Sequence, residues 1–143
     1  PKATPDQEGG FSPNLSAAYR RAKAENIPLV LVFGTDWAAA HVRLKNEVFE
    51  KPSFAAYGKK GAFAYANPDR DDSFGNVRAK MKELGVDAFP MLIVLDAENM
   101  QEVVRIRGRW DAPVYLAKLD ASFRNFDKYR KTKSFDFGDD SAE

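Results

Sequence analysis

Two rhythms of apolar positions run through the chain. Over residues 14–26, Leu15, Ala18, Tyr19 and Ala22 fall at helical spacing, with Ser12 or Asn14 as candidate caps, which predicts a first helix. Pro28 ends it. The uninterrupted run Leu29-Val30-Leu31-Val32-Phe33 then reads as a central strand covered on both faces. After Gly34-Thr35-Asp36-Trp37 the helical rhythm returns in Ala38, Val42, Val48 and Phe49, with Leu44 beside them, so a second helix is expected from about Trp37 until Pro52 interrupts it. A short helical turn over 53–57 and a second strand over 62–66 follow. The polar stretch 67–72 is a loop, and Val77, Met81 and Leu84 mark a third helix stopped by Gly85. Residues 90–95 form another apolar run. Asp96-Ala97-Glu98-Asn99 predicts a turn with Asn99 at positive φ. Residues 101–107 complete a hairpin, with Val104 and Ile106 on one face and Gly108 ending it. Leu116, Leu119, Phe123 and Phe126 supply the inward stripe of a last helix.

The resulting order, α-β-α-β-α-β-β-α, predicts an α/β fold: a mixed four-stranded sheet built from β-α-β plus β-β-α, helices on both faces, and an extra N-terminal helix. Residues 1–10 are expected to be a mobile lead-in, 11–126 the domain, and 127–143 a mostly mobile tail that docks Phe135 or Phe137. Composition narrows the function classes. The 143 residues, 44% hydrophobic, suffice for one core, and 22 basic against 21 acidic side chains leave a net charge of +1. That gives no global field for steering toward nucleic acid. No apolar run of about 20 residues is present, so membrane insertion is not expected and a soluble protein is. The start at Pro1 suggests a trimmed or processed form. With no Cys and one His, disulfides, thiol nucleophiles, iron–sulfur clusters and Cys/His zinc sites are excluded.

Two separated segments carry a family resemblance. One is Phe33-Gly34-Thr35-Asp36-Trp37-Ala38-Ala39-Ala40-His41, followed by Leu44, Glu47, Val48 and Phe49. The other is Gly85-Val86-Asp87-Ala88-Phe89-Pro90. Together they resemble the thioredoxin superfamily, in particular bacterial thioredoxin-like domains that read Asp-Trp-Cys-x-x-Cys in the first segment and Gly-Val-x-x-Phe-Pro in the second. The match extends over about residues 14–126. It implies a thioredoxin-like fold, a cis Pro90, and a degenerate redox motif at Trp37, Ala38, Ala39, Ala40 and His41. Ala38 and His41 stand where the family carries its two cysteines. That family's chemistry needs a thiolate to attack a disulfide and a second thiol to resolve the mixed disulfide. Methyl and imidazole groups do neither. Thioredoxin's buried strand Asp is also replaced, by Val32.

Other candidates carry bland readings. His41 is either a general base or anion-binding group at the old site, or a polar filler under Trp37; near a helix N-terminus a neutral imidazole is expected, with Asp36 offsetting. The cluster Asn67, Asp69, Asp71 and Asp72 invites a calcium loop but lacks that loop's Gly and Glu and contains Pro68, which favours a solvated loop. Arg105, Arg107 and Arg109 would line one side of the last strand, to hold an anion or to guard a sheet edge. Trp110 reads as a core or rim aromatic.

Trp37, Ala38, His41, Phe89 and Pro90 are different, because the resemblance places a peptide-binding groove there that survives loss of the cysteines. The reading is a redox-inactive binding or scaffolding module for a protein or peptide partner, with no catalytic residue, cofactor, metal or nucleic acid. The alternatives are a cysteine-free engineered form of an active thiol–disulfide oxidoreductase and a new activity at His41. The resemblance favours a periplasmic or otherwise exported location. Partner identity and oligomeric state are left open.

Overall fold

The computed structural model describes residues 10–70 and 77–132. The lead-in expected over 1–10 lies outside these apart from Gly10, as do Asp71, Asp72, Phe135 and Phe137. The chain runs α1 (Leu15–Glu25), β1 (Leu29–Phe33), α2 (Ala39–Leu44) continued by a π-turn (Lys45–Phe49), a 3-10 helix (Pro52–Lys59), β2 (Ala62–Ala66), α3 (Val77–Leu84), β3 (Met91–Asp96), β4 (Gln101–Arg107) and α4 (Ala112–Thr132). The sheet has four strands in the order β2-β1-β3-β4. β1 pairs parallel with β2 and antiparallel with β3, and β3 pairs antiparallel with β4. This is the mixed sheet of a thioredoxin-like fold, with α1 present as the additional N-terminal helix.

The two-sided burial of β1 organises both layers. All five of its side chains are fully buried, and successive ones point to opposite faces. Leu29, Leu31 and Phe33 join Leu15, Ala18 and Ala22 of α1 and Val77 of α3. Val30 and Val32 join Leu44 and Phe49 of the α2 segment and Tyr115, Leu119, Phe123 and Phe126 of α4. The second face is unusually aromatic: Phe11 stacks on Tyr65 at 4.1 Å between ring centroids and meets Phe49 edge-on at 5.2 Å. The Ser12 amide also donates to the Phe63 carbonyl at 2.8 Å, so the chain is tied beside β2 before α1 begins.

Local signals explain the boundaries. Asn14 caps α1, its side chain accepting from the Ala17 amide at 2.8 Å. Pro52 opens the 3-10 helix, where a missing N–H costs nothing. Gly85 closes α3 at φ +69°, a conformation that glycine adopts without steric penalty.

Four expectations need correction. The second helix begins at Ala39 rather than Trp37, because Ala38 is still extended at φ −86°, ψ 106°. The positive φ of the hairpin turn falls on Met100, at 61°, and not on Asn99. Asn99 uses its side chain instead, accepting the Gln101 amide at 2.9 Å, and the half-buried Met100 packs on the sheet, which offsets its backbone cost. The last helix does not stop at Phe126: residues 127–132 are helical, and Tyr129 is buried. Its hydroxyl donates to the buried Asp96 carboxylate at 2.8 Å, a long-range tie to the β3–β4 turn that helical periodicity does not reveal. Finally, the three arginines do not share a side. Arg105 binds Glu102 and the Leu84 carbonyl beside α3, Arg107 approaches Asp87 at 3.8 Å, and Arg109 binds Glu47 of the π-turn at 3.0 Å. The strand ends at Arg107 and Gly108 at φ +78° redirects the chain before Arg109.

Tyr129→Phe removes the hydroxyl that bridges α4 to Asp96. Urea denaturation is expected to show a loss of about 0.5–1.5 kcal/mol, the usual net contribution of one intramolecular hydrogen bond. A variant as stable as the parent would show that the tie contributes nothing.

Candidate functional site

The site forms where β1 runs out. Beyond Phe33 the chain leaves the sheet through Gly34, Thr35, Asp36 and Trp37 before α2 starts. The Ala38 amide donates to the Thr35 carbonyl at 3.2 Å, and the Val42 amide to the Ala38 carbonyl at 3.0 Å, which locks this bend to the first turn of α2. Ala38 and Ala40 are half-buried and Ala39 is exposed. No side chain caps this helix.

His41, in the first turn, points inward and is only 5% exposed. Its imidazole lies flat against the Gly34 backbone, so close that a Cβ on Gly34 would stand 2.0 Å from Nδ1. It also packs perpendicular to the Tyr65 ring, at 5.7 Å between centroids. Among the described residues, neither His41 Nδ1 nor the fully buried Thr35 Oγ1 has a hydrogen-bond partner. Burial pushes the His41 pKa below its ordinary value, Lys45 pushes it further down, and Asp36 partly opposes both. The neutral imidazole expected near a helix N-terminus is therefore favoured, with desolvation as the larger cause.

Phe89 and Pro90 face this bend. The Phe89–Pro90 peptide bond is cis, Pro90 is buried, and its carbonyl accepts from the Gly108 amide at 2.9 Å. The Trp37 indole meets the half-buried Phe89 ring edge-on at 6.1 Å and remains 71% exposed. Its Nε1–H donates to Asp69 Oδ2 at 2.8 Å, and Arg78 binds the other oxygen of Asp69 at 3.1 Å. Asp36 pairs with Arg70 at 2.7 Å. The result is an aromatic patch rimmed by exposed ion pairs, which contribute little stability individually.

Asp69, Arg70 and Arg78 are the site residues that sequence reasoning missed. The Asn67-Pro68-Asp69 turn was legible, and Asn67 does accept the Asp69 amide at 2.8 Å. Nothing in the local pattern signals that this turn reaches across to Trp37. The described part of the acidic cluster is thus engaged with cations and an indole, and among the described residues no group of ligands could hold a metal ion. Trp110 is 43% exposed, donates to the Arg107 carbonyl at 2.8 Å, and carries Lys118 Nζ over its ring at 4.4 Å, the rim position expected of it.

The chemistry available follows. There is no thiol anywhere in the chain. A catalytic His needs an orienting acceptor on one nitrogen and a nucleophile within reach of the other. Among the described residues His41 Nδ1 has no such acceptor, and the strand position at Val32 is fully buried hydrocarbon.

The sequence matches the family model described as a thioredoxin-like domain over residues 15–123. A comparison with curated proteins gives no match. Among solved structures the chain is similar to a thioredoxin from Thermus thermophilus, with a TM-score of 0.66 and 15% identity over 81% of this chain and 86% of that one. It is also similar to a candidate disulphide-isomerase from Bacteroides thetaiotaomicron, at TM-score 0.64 and 25% identity over 81% and 95%. A DsbH oxidoreductase gives TM-score 0.60 and 19% identity over 87% and 92%.

Gly34→Ala is expected to destabilise the fold by about 1–3 kcal/mol, the usual cost of forcing atoms into a packed site. Combining it with His41→Ala should recover most of that loss in urea denaturation, since the second change removes the ring in the way. Strictly additive losses would mean that the contact is not the cause.

Proposed function

This chain belongs to the thioredoxin-like domain family, and we propose that within it the protein is a redox-inactive binding module that holds an extended segment of a protein partner. The observation that supports this is the Trp37–Phe89 pair, a 71% exposed indole set edge-on to an aromatic ring beside the Ala38 and His41 positions. An indole this exposed loses apolar surface to water that only a partner can cover, and large aromatics are the side chains most often used as binding anchors. The rim of Asp36–Arg70 and Asp69–Arg78 pairs offers both signs of charge around it. The family resemblance implies that the bend before β3 is where an extended partner segment would pair by strand addition.

The same residues argue against the family's sulfur chemistry. Disulfide exchange passes through a mixed disulfide, and a chain without sulfhydryls cannot form one. A replacement acid–base role for His41 is disfavoured by its burial and by an Nδ1 that nothing orients. An exported location is part of this reading, carried from the resemblance to bacterial disulfide-handling domains. No helix among the described residues is long and apolar enough to cross a membrane.

The unaltered chain is expected to leave a disulfide substrate unreduced in the presence of dithiothreitol, whereas Ala38→Cys/His41→Cys, which restores both sulfurs in an intact frame, gains that activity. Trp37→Ala or Phe89→Asp is expected to weaken the partner complex at least about tenfold, the loss of one aromatic anchor, while leaving thermal unfolding within a few degrees of the parent. Turnover by the unaltered chain would overturn the first expectation, and unchanged partner affinity in both surface variants the second.

A further inference from the structure

The same bend carries a device for regulating the patch it presents, an inference that rests on the binding reading above. His41 is the only histidine of the chain. Its ring is 5% exposed, pressed on Gly34 with no room for even a Cβ between them, and perpendicular to Tyr65. Gly34 opens the bend that carries Trp37. That backbone is also tied to the sheet by a bond from the Gly34 amide to the Ala66 carbonyl at 3.3 Å. The imidazole is thus the floor of the bend.

We propose that His41 is a proton-operated latch: the neutral ring seats the Gly34–Trp37 bend and holds the Trp37–Phe89 patch together, and protonation expels the ring and releases the bend. Adding a proton creates a cation in a site built for a neutral ring. Both nitrogens of an imidazolium are donors, and Nδ1 has no acceptor among the described residues. The groups that face the ring sharpen the effect. Lys45, from the π-turn, repels a second positive charge; its Nζ lies over the Tyr65 ring at 5.0 Å. The N-terminal turn of α2 adds its own partial positive charge. Among the described residues the opposing charge is Asp36 from the bend, engaged with Arg70 at 2.7 Å, and Lys45 itself pairs with Glu50 at 3.8 Å.

The direction with pH follows. The folded-state pKa of His41 lies below the ordinary 6.5, so between the two values the unfolded or released state binds more protons. Stability of the closed bend is full above 6.5 and declines as pH falls through and below it.

The test needs no partner. A pH titration from about 8 to about 4.5, a window that covers histidine and stops short of most carboxylates, follows the His41 ring signals and the two tryptophan indole N–H signals by NMR. The expected result is a His41 midpoint below 6.5, with the Trp37 indole N–H and the Gly34–Ala38 amides shifting at that same midpoint while the Trp110 indole does not. His41→Phe, which keeps a ring and loses the proton, should abolish the Trp37 transition. If that variant does not fold, the parent spectra still decide. A His41 midpoint at or above 6.5, a Trp37 signal that stays fixed while His41 titrates, or one that follows only carboxylate titration near about 4 would each overturn the latch. The binding reading fails by a different result, partner affinity indifferent to Trp37→Ala at neutral pH.

Discussion

Everything in this molecule depends on covering β1 from both sides. Five consecutive side chains with no exposure cannot be buried by one layer, because alternate residues face opposite directions. α1 and α3 must close over Leu29, Leu31 and Phe33, and the α2 segment and α4 over Val30 and Val32. At the strand's C-terminal end the chain passes from this fully packed environment, through the buried Gly34 and Thr35, to the exposed Asp36 and Trp37. Gly34 and His41 meet there. The bend they define fixes where Trp37 emerges, and the β1–β3 pairing of Phe33 with Met91 brings Phe89 and Pro90 alongside.

That coupling between core and surface explains how the family frame can stand without cysteines. The scaffold needs no sulfur to bury β1 or to seat α2. Ala38 leaves a half-buried methyl at the lip of the bend, and His41 fills an interior position that demands bulk and neutrality more than reactivity. Around them, an indole that remains exposed is held on one edge by Phe89 and on its N–H by Asp69. Under the proposed binding role these two contacts would matter, since a side chain held in one orientation has already lost the rotamer freedom that binding would otherwise cost.

How far the sequence reveals this depends on the range of the interactions. β1, α1 and the end of α3 are legible from periodicity and punctuation because their signals are local: an apolar run, an Asn cap, Pro28 and Gly85. The placement of Trp37 beside Phe89 is legible through the resemblance of two separated segments. Contacts made by single side chains across long sequence separations are not. Tyr129 reaches Asp96 and Asp69 reaches Trp37 through geometry that exists only once the sheet is assembled. The His41–Gly34 contact is intermediate: the residues are close in sequence, yet only the packed bend shows that glycine is required there to admit a ring. Met100 shows the same limit, since Asn99 is the better residue for positive φ and the fold instead uses its side chain to close the turn.

The most direct measurement of whether this surface holds a partner is site-specific photo-crosslinking in the native host. A photoreactive side chain is placed at the exposed Ala39, beside Trp37, and for comparison at the exposed Lys128 on α4. The account expects one discrete adduct from position 39, mapping by mass spectrometry to an extended segment of a single protein and lost when Trp37→Ala is added, with none from position 128. Adducts of equal yield from both positions, or a discrete adduct from 128 and none from 39, would contradict it.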